Sequence, residues 1–412
     1  MINFDRFTLE NGLKVIVHHD NTTPIVAINI LYNVGSRDEK PDKTGFAHLF
    51  EHLMFGGSVN IPEFDRPLQI VGGENNAFTN NDITNYYLTL PKENIETGFW
   101  LESDRMLNLD FSDKSLDVQR NVVIEEFKQR YLNQPYGDVW LFLRPLAYKI
   151  HPYSWATIGK DISHIENANI EDVKDFFYKH YAPNNAIMVV AGDISTEEVK
   201  ILSEKWFGPI EKRNIESKNI PAEPKQTEAR FLELTRKVPY DSIYKVYQMC
   251  SRLDDDYYAT DLLSDILSNG DSSRLYQRLV KEKNLFSSLD AYILGSIDTG
   301  LFCISGKLIK DIDMKTAEDA IIEELELIKN ELVSEYDLQK VKNKLESSTI
   351  FSEINILNKA MNLAFYENLD DANRINTELD NYKKITQEDL QMLAKKIFVP
   401  ENCSTLYYYA EK

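Results

Sequence analysis

Two of the chain's seven histidines fall within five positions, in the run His48-Leu49-Phe50-Glu51-His52. On an α-helix, residues i and i+4 lie one above the other, so His48 and His52 project from one face. Two imidazoles so placed are able to hold one Zn²⁺, and Glu51, three residues after His48, stands beside them within reach of a water on such a metal. A catalytic zinc takes three protein ligands and keeps one position open, so a third donor must come from elsewhere. Glu125 and Glu126, on a later helical stretch, are the candidates. The competing reading is an ordinary core helix that happens to carry histidine, because the run is otherwise apolar (Phe46, Leu49, Phe50, Leu53, Met54, Phe55). Burying three polar side chains there without partners costs several kcal/mol, and a metal removes that cost.

The surrounding pattern predicts the elements that must hold these groups. GLKVIVHH (12–19) and PIVAINILYNVGS (24–36) are β-branched and apolar and are separated by Asp20-Asn21-Thr22-Thr23, which reads as strand, turn and strand. The motif stretch from Thr44 to Phe55 is helical in pattern, and VGGENNAFTNNDITNYYLTLP (71–91) reads as a second strand, turn and strand. Helices are expected around 92–107 and 115–133. The chain then repeats itself: IEDVKDFFYKHYAPNN (170–185) aligns without a gap on QEDLQMLAKKIFVPEN (387–402), at an offset of 388 − 171 = 217 residues. Each copy is an amphipathic helix, a stop near proline and a terminal strand, AIMVVAG or CSTLYYYA. This predicts an α+β fold of two homologous halves, each a mainly antiparallel sheet packed with helices, facing each other as a clam shell. The expected division is 1–211, a polar proline-containing linker at 212–228, and 229–412.

Composition bounds the function classes. The 412 residues exceed one ordinary core, and 43% apolar with 11% aromatic residues is globular. A formal net charge of −20 argues against a nucleic-acid partner. Three scattered cysteines, Cys250, Cys303 and Cys403, read as free thiols of a reducing compartment. No apolar run approaches a membrane span and the start lacks a signal-peptide pattern. No membrane partner is therefore expected. The expected location is the cytoplasm, or the periplasm if a leader has been removed.

The order H-x-x-E-H, inverted from the commoner H-E-x-x-H, is the inverzincin signature. With the NGLKVIV strand, GFAHLFEHLMFGGS, GGENNAFTNNDITNYY, RNVVIEEFKQR and HPYSWATIGK, the chain resembles the pitrilysin (insulinase-like) zinc metallopeptidase family, including its smaller bacterial members. The resemblance implies one Zn²⁺ per chain, held by His48, His52 and the glutamate that closes a phrase R-[DN]-V-x-x-x-E. That phrase is Arg120 to Glu126 here, so the third ligand falls on Glu126 with Glu125 as the fallback. Many relatives carry a further glutamate just before the arginine, where this chain has Gln119. Glu51 is the implied general base and then acid, taking a proton from water and delivering it to the leaving amine. The substrate would lie extended beside an edge strand, which makes Asn76, Ala77 and Phe78 the substrate-binding candidates by strand addition, although Asn75-Asn76 also suits a simple turn.

The second half carries no such motif: Thr260 to Gly270 takes the equivalent place without histidine. Relatives supply from this half an arginine and a tyrosine in a phrase like R-E-K-G-L-A-Y. Here it reads Lys281-Glu282-Lys283-Asn284-Leu285-Phe286-Ser287, with lysine and serine in those places. Lysine keeps the charge but not the fork geometry, and serine is too short to replace a phenol. Arg274, Arg278, Tyr276 and Tyr292 lie near enough in sequence to compensate, although the arginines read first as a solvated helix face. The implied function is a zinc endopeptidase acting on short or unfolded peptides in an enclosed chamber. It would be a dimer, either self-sufficient or the zinc-bearing partner of a zinc-less homologue that supplies the Arg/Tyr pair. The alternative is a non-catalytic peptide-binding or structural subunit of a peptidase-like complex.

Overall fold

In the computed structural model residues 1–216 and 218–411 are described; Ser217, in the expected linker, and Lys412 lie outside the described residues. The chain forms two compact units, each built from three separate stretches of the sequence. Unit 1 comprises Met1–Gln129, Trp155–Ile220 and Ile350–Thr377; unit 2 comprises Arg130–Ser154, Pro221–Thr349 and Glu378–Lys412. A single cut within 212–228 therefore does not separate them, because residues 130–154 and 350–377 each belong with the other terminal half.

Unit 1 holds a six-stranded sheet of β1 (Asp5–Thr8), β2 (Lys14–His19), β3 (Ile25–Tyr32), β4 (Glu74–Thr79), β5 (Thr84–Pro91) and β6 (Ala186–Gly192). Their order is β1-β2-β6-β3-β5-β4. The turn after β2 does not make a hairpin with β3. Instead β6 inserts between them, parallel to β2 (Val17 opposite Val190) and antiparallel to β3 (Ile28 opposite Val190). β3 and β6 are apolar at nearly every position and almost wholly buried, as suits central strands covered on both faces. β4 alternates exposed and half-buried residues and forms the edge, paired among the described residues only with β5. One face of the sheet is covered by the helix Ile356–Leu369, whose Ala360, Leu363 and Ala364 pack on Ala27, Leu31, Ile187 and Val189. The other face receives the motif helix, Phe46–Leu53.

Unit 2 repeats the plan with five strands: β7 (Arg230–Arg236), β8 (Ser242–Gln248), β9 (Phe286–Leu294), β10 (Leu301–Leu308) and β11 (Cys403–Ala410). The order β7-β11-β8-β10-β9 matches β2-β6-β3-β5-β4, with β7 and β11 parallel as β2 and β6 are. The sequence offset survives in three dimensions: Ala186 and Cys403 open the last strands at 403 − 186 = 217. The same interval separates the openings of β3 and β8, at 242 − 25 = 217. It also relates the helices Val139–Ala147 and Ile356–Leu369, at 356 − 139 = 217. Val139 and Leu143 pack with Val246, Leu406 and Tyr408 of unit 2. The duplicated halves have thus exchanged one equivalent helix each. No helix among the described residues is long and apolar enough to cross a membrane.

Candidate metal centre

The motif helix is two turns long, and its sequence divides it by face. Phe46, Ala47, Leu49, Phe50 and Leu53 are buried, and the Tyr86 hydroxyl of β5 donates to the Phe50 carbonyl at 3.4 Å. His48 is buried at the edge of this face, while Glu51 and His52 are half-buried. The i, i+4 spacing brings the two imidazoles together with centroids 4.9 Å apart and planes at 83°.

The helix Asp113–Phe127, capped by the Ser112 hydroxyl, packs against the motif helix and supplies the third group. The Glu126 carboxylate oxygen Oε2 lies 3.3 Å from His52 Nε2 and 3.6 Å from His48 Nε2. One ligand atom from each of the three residues falls within 4.8 Å of the others. Adjacent helical residues point about 100° apart, so Glu125 cannot share this direction. Glu125 is exposed and takes an ion pair from Lys128 at 2.7 Å. The fallback ligand is thus turned away from the histidines. Gln119 lies two turns before Glu126 on the same helix, half-buried and beside Gly56, outside the three-residue cluster.

Two imidazoles and a carboxylate converging in this way fit Zn²⁺, which prefers nitrogen and oxygen donors and accepts three protein ligands with an open fourth position. Among the described residues no other group of three histidine, cysteine or acidic side chains converges in this way. Glu51 stands next to this cluster against Thr79, the last residue of β4. Burial pushes its carboxyl above the usual range, Thr79 and His52 pull it down, and Glu126 raises it further. Thr79 is a neighbour that motif spacing does not reveal, because only the β4–β5 register brings it there.

The other expected residues occupy distinct places. Asn76, Ala77 and Phe78 lie on β4, whose outer edge has no strand partner among the described residues. Asn76 and Phe78 face outward, Phe78 being 39% exposed, and the Asn76 side-chain oxygen accepts the Ala77 N–H at 2.8 Å. In unit 2, Lys281 is exposed, with its ammonium over the Tyr276 ring at 5.6 Å, and the Ser287 hydroxyl donates to the Lys307 carbonyl. Arg274 and Arg278 are both committed to Glu324, at 2.9 and 3.2 Å, and Glu324 is only 1% exposed. Two buried-end ion pairs therefore hold the arginines that sequence proximity offered as substitutes. Tyr292 is half-buried on β9, with its hydroxyl pKa raised by burial.

Comparison with known proteins gives a consistent pattern. Residues 14–158 match the family described as Insulinase (Peptidase family M16), and residues 167–345 match the Peptidase M16 inactive domain. The chain is 32% identical over 380 residues to the zinc protease PqqE of Helicobacter pylori, covering 87% of this chain and 85% of that protein. It is 26% identical to the uncharacterized zinc protease YmxG of Bacillus subtilis, with 84% of each covered. A solved protease structure from Helicobacter pylori superposes with a TM-score of 0.93 at 29% identity, over 99% of this chain and 100% of that one.

Proposed function

We propose, for a chain that belongs to the insulinase (M16) peptidase family, that it is a zinc-dependent endopeptidase hydrolysing short or unfolded peptides. One observation carries this reading: Glu126 reaches both histidines of the motif helix from a separate helix, with Glu51 beside them. His48, His52 and Glu126 would hold the zinc. When bound, zinc supplies Lewis acidity, polarising a peptide carbonyl and lowering the pKa of water from 15.7 towards about 7.

The chain's own groups do the rest. Glu51 removes a proton from the attacking water as its oxygen bonds to the carbonyl carbon, and returns that proton to the amine nitrogen as the C–N bond breaks. The open edge of β4 at Asn76, Ala77 and Phe78 offers backbone groups to an extended peptide, and Thr79 of the same strand stands at Glu51. A peptide carbonyl at Ala77 would take over the N–H that Asn76 now occupies.

Lys281 and Ser287 lead us to include a second chain in the reading, a zinc-less homologue supplying the arginine and tyrosine. One experiment tests the whole. The purified chain is expected to hold about one zinc, and Glu51→Gln is expected to retain that zinc while cleavage of unfolded peptides falls by roughly 10²–10⁴-fold. Wild-type protein without zinc, or undiminished cleavage by Glu51→Gln, would sink the assignment. Full activity of the chain by itself would remove only the second chain.

A further inference from the structure

The motif helix begins without a cap of its own. Its N-cap is Gly45, at φ +90°, which has no side chain to receive the first N–H groups, and its first turn carries no acidic residue. Those groups are met instead by a residue six positions upstream. The Glu39 side chain, 7% exposed, accepts the Gly45 N–H on Oε2 at 3.0 Å and the Ala47 N–H on Oε1 at 2.8 Å. The Trp155 indole N–H is shared between Glu39 Oε2 at 3.1 Å and the Ser36 carbonyl at 3.0 Å, so the carboxylate is itself tied to a separate segment. The same segment closes on Gly45, where an added Cβ would lie 2.5 Å from the Ile158 carbonyl oxygen. Ala47 immediately precedes His48, and the helix is only eight residues long. A helix that short has no interior turns to absorb a loosened start, so a shift at Ala47 moves His48, Glu51 and His52 together.

Resting on the zinc-peptidase reading above, we infer that Glu39 is a positioning residue. Its carboxylate clamps the start of the motif helix and so sets the direction of the three functional side chains towards Glu126. It touches neither substrate nor metal.

Glutamine at this position is nearly isosteric but fails for a specific reason. Both oxygens already receive N–H groups, so an amide nitrogen in either place sets donor against donor. Burial pushes the Glu39 carboxyl up to about 8, so the comparison is made at pH 8.5, where the ionised form predominates. Zinc affinity is read by competition with a chromophoric chelator, alongside thermal unfolding of the metal-free protein. Glu39→Gln is expected to weaken zinc binding about tenfold or more. Glu318→Gln, which breaks the buried Lys245 pair in unit 2, is expected to lower Tm without changing zinc affinity. Should Glu39→Gln not fold, Trp155→Phe takes its place, removing one donor to the same carboxylate, with a several-fold loss expected.

Unchanged zinc affinity in the folded variant, or an equal loss in Glu318→Gln, overturns the inference while leaving the enzyme reading intact. Wild-type protein that binds no zinc overturns the enzyme reading and this inference with it.

Discussion

The motif helix of unit 1 and the helix Asp256–Ser268 of unit 2 occupy equivalent places and treat their polar face in opposite ways. Each packs beside its sheet's edge strand, β4 or β9, and beside the helix that precedes its sheet's last strand, Ile170–His180 or Gln387–Ile397. Each carries two titratable residues four apart, His48 and His52 or Asp261 and Asp265. In unit 2 these are answered locally. Asp261 accepts the Tyr382 hydroxyl at 2.7 Å, and Asp265 accepts the Asn269 amide at 2.7 Å. In the neighbouring network Glu378 takes the Tyr258 hydroxyl and the Arg252 guanidinium. In unit 1 the two imidazoles and Glu126 converge on a common point. The duplicated scaffold carries either arrangement, and among the described residues only that of unit 1 brings three histidine or acidic side chains together.

The largest test of this comparison concerns the helices that the halves exchange. Expressed separately, residues 1–220 would lack Ile356–Leu369 and residues 221–412 would lack Val139–Ala147. In unit 1 this uncovers Ile16, Leu31, Ile187 and Val189 and leaves Ile356 and Leu363 without their core. At about 1.5–3 kcal/mol for each such side chain, the loss is comparable with the whole stability of a domain. Neither fragment is expected to unfold cooperatively by calorimetry, and co-expression is expected to restore both. A fragment that folds alone would show that each half is complete without the exchange.

A smaller effect separates the neighbouring glutamates. Glu126→Gln is expected to weaken zinc binding by more than about 100-fold, since even outer-shell changes cost 10–100-fold. Glu125→Gln removes only a surface ion pair with Lys128 and should leave zinc affinity within about twofold. Metal titration of the two variants side by side reads the difference, and a reversed order would move the third ligand to Glu125.

The smallest effect is expected from unit 2. Burial raises the Asp261 carboxyl pKa above its ordinary 3.8. In the folded state it holds its proton to higher pH than in the unfolded chain. Its favourable contribution is therefore complete below pH 3.8 and is lost as pH rises through the raised value. Asp261→Asn keeps an oxygen for Tyr382 and removes that loss, so stability above pH 3.8 should fall less steeply while zinc content is unchanged. Denaturant melts across pH check the slope; a change in zinc content would mean that the two helices are not independent.

Much of this molecule was legible in the sequence because the relevant information is local. The i, i+4 spacing of His48 and His52 fixes a shared face once a helix forms, and the apolar run around them makes that helix. Continuous β-branched stretches gave β3 and β6, whereas the edge position of β4 was implied only by the family resemblance. The 217-residue offset foretold two equivalent sheets, because a repeated pattern of periodicities builds a repeated layer.

Other decisions belong to tertiary packing. Glu125 and Glu126 differ only in azimuth, and which one meets the histidines depends on how the helix Asp113–Phe127 lies against the motif helix. Arg274 and Arg278 looked available until Glu324 claimed both from a helix about fifty residues away in sequence. Spacing and periodicity thus determined the histidine pair with its neighbouring Glu51 and the duplicated plan. Direction, partner and the exchanged helices were decided by long-range contacts, which follow from surfaces meeting in space and leave no periodic trace along the chain.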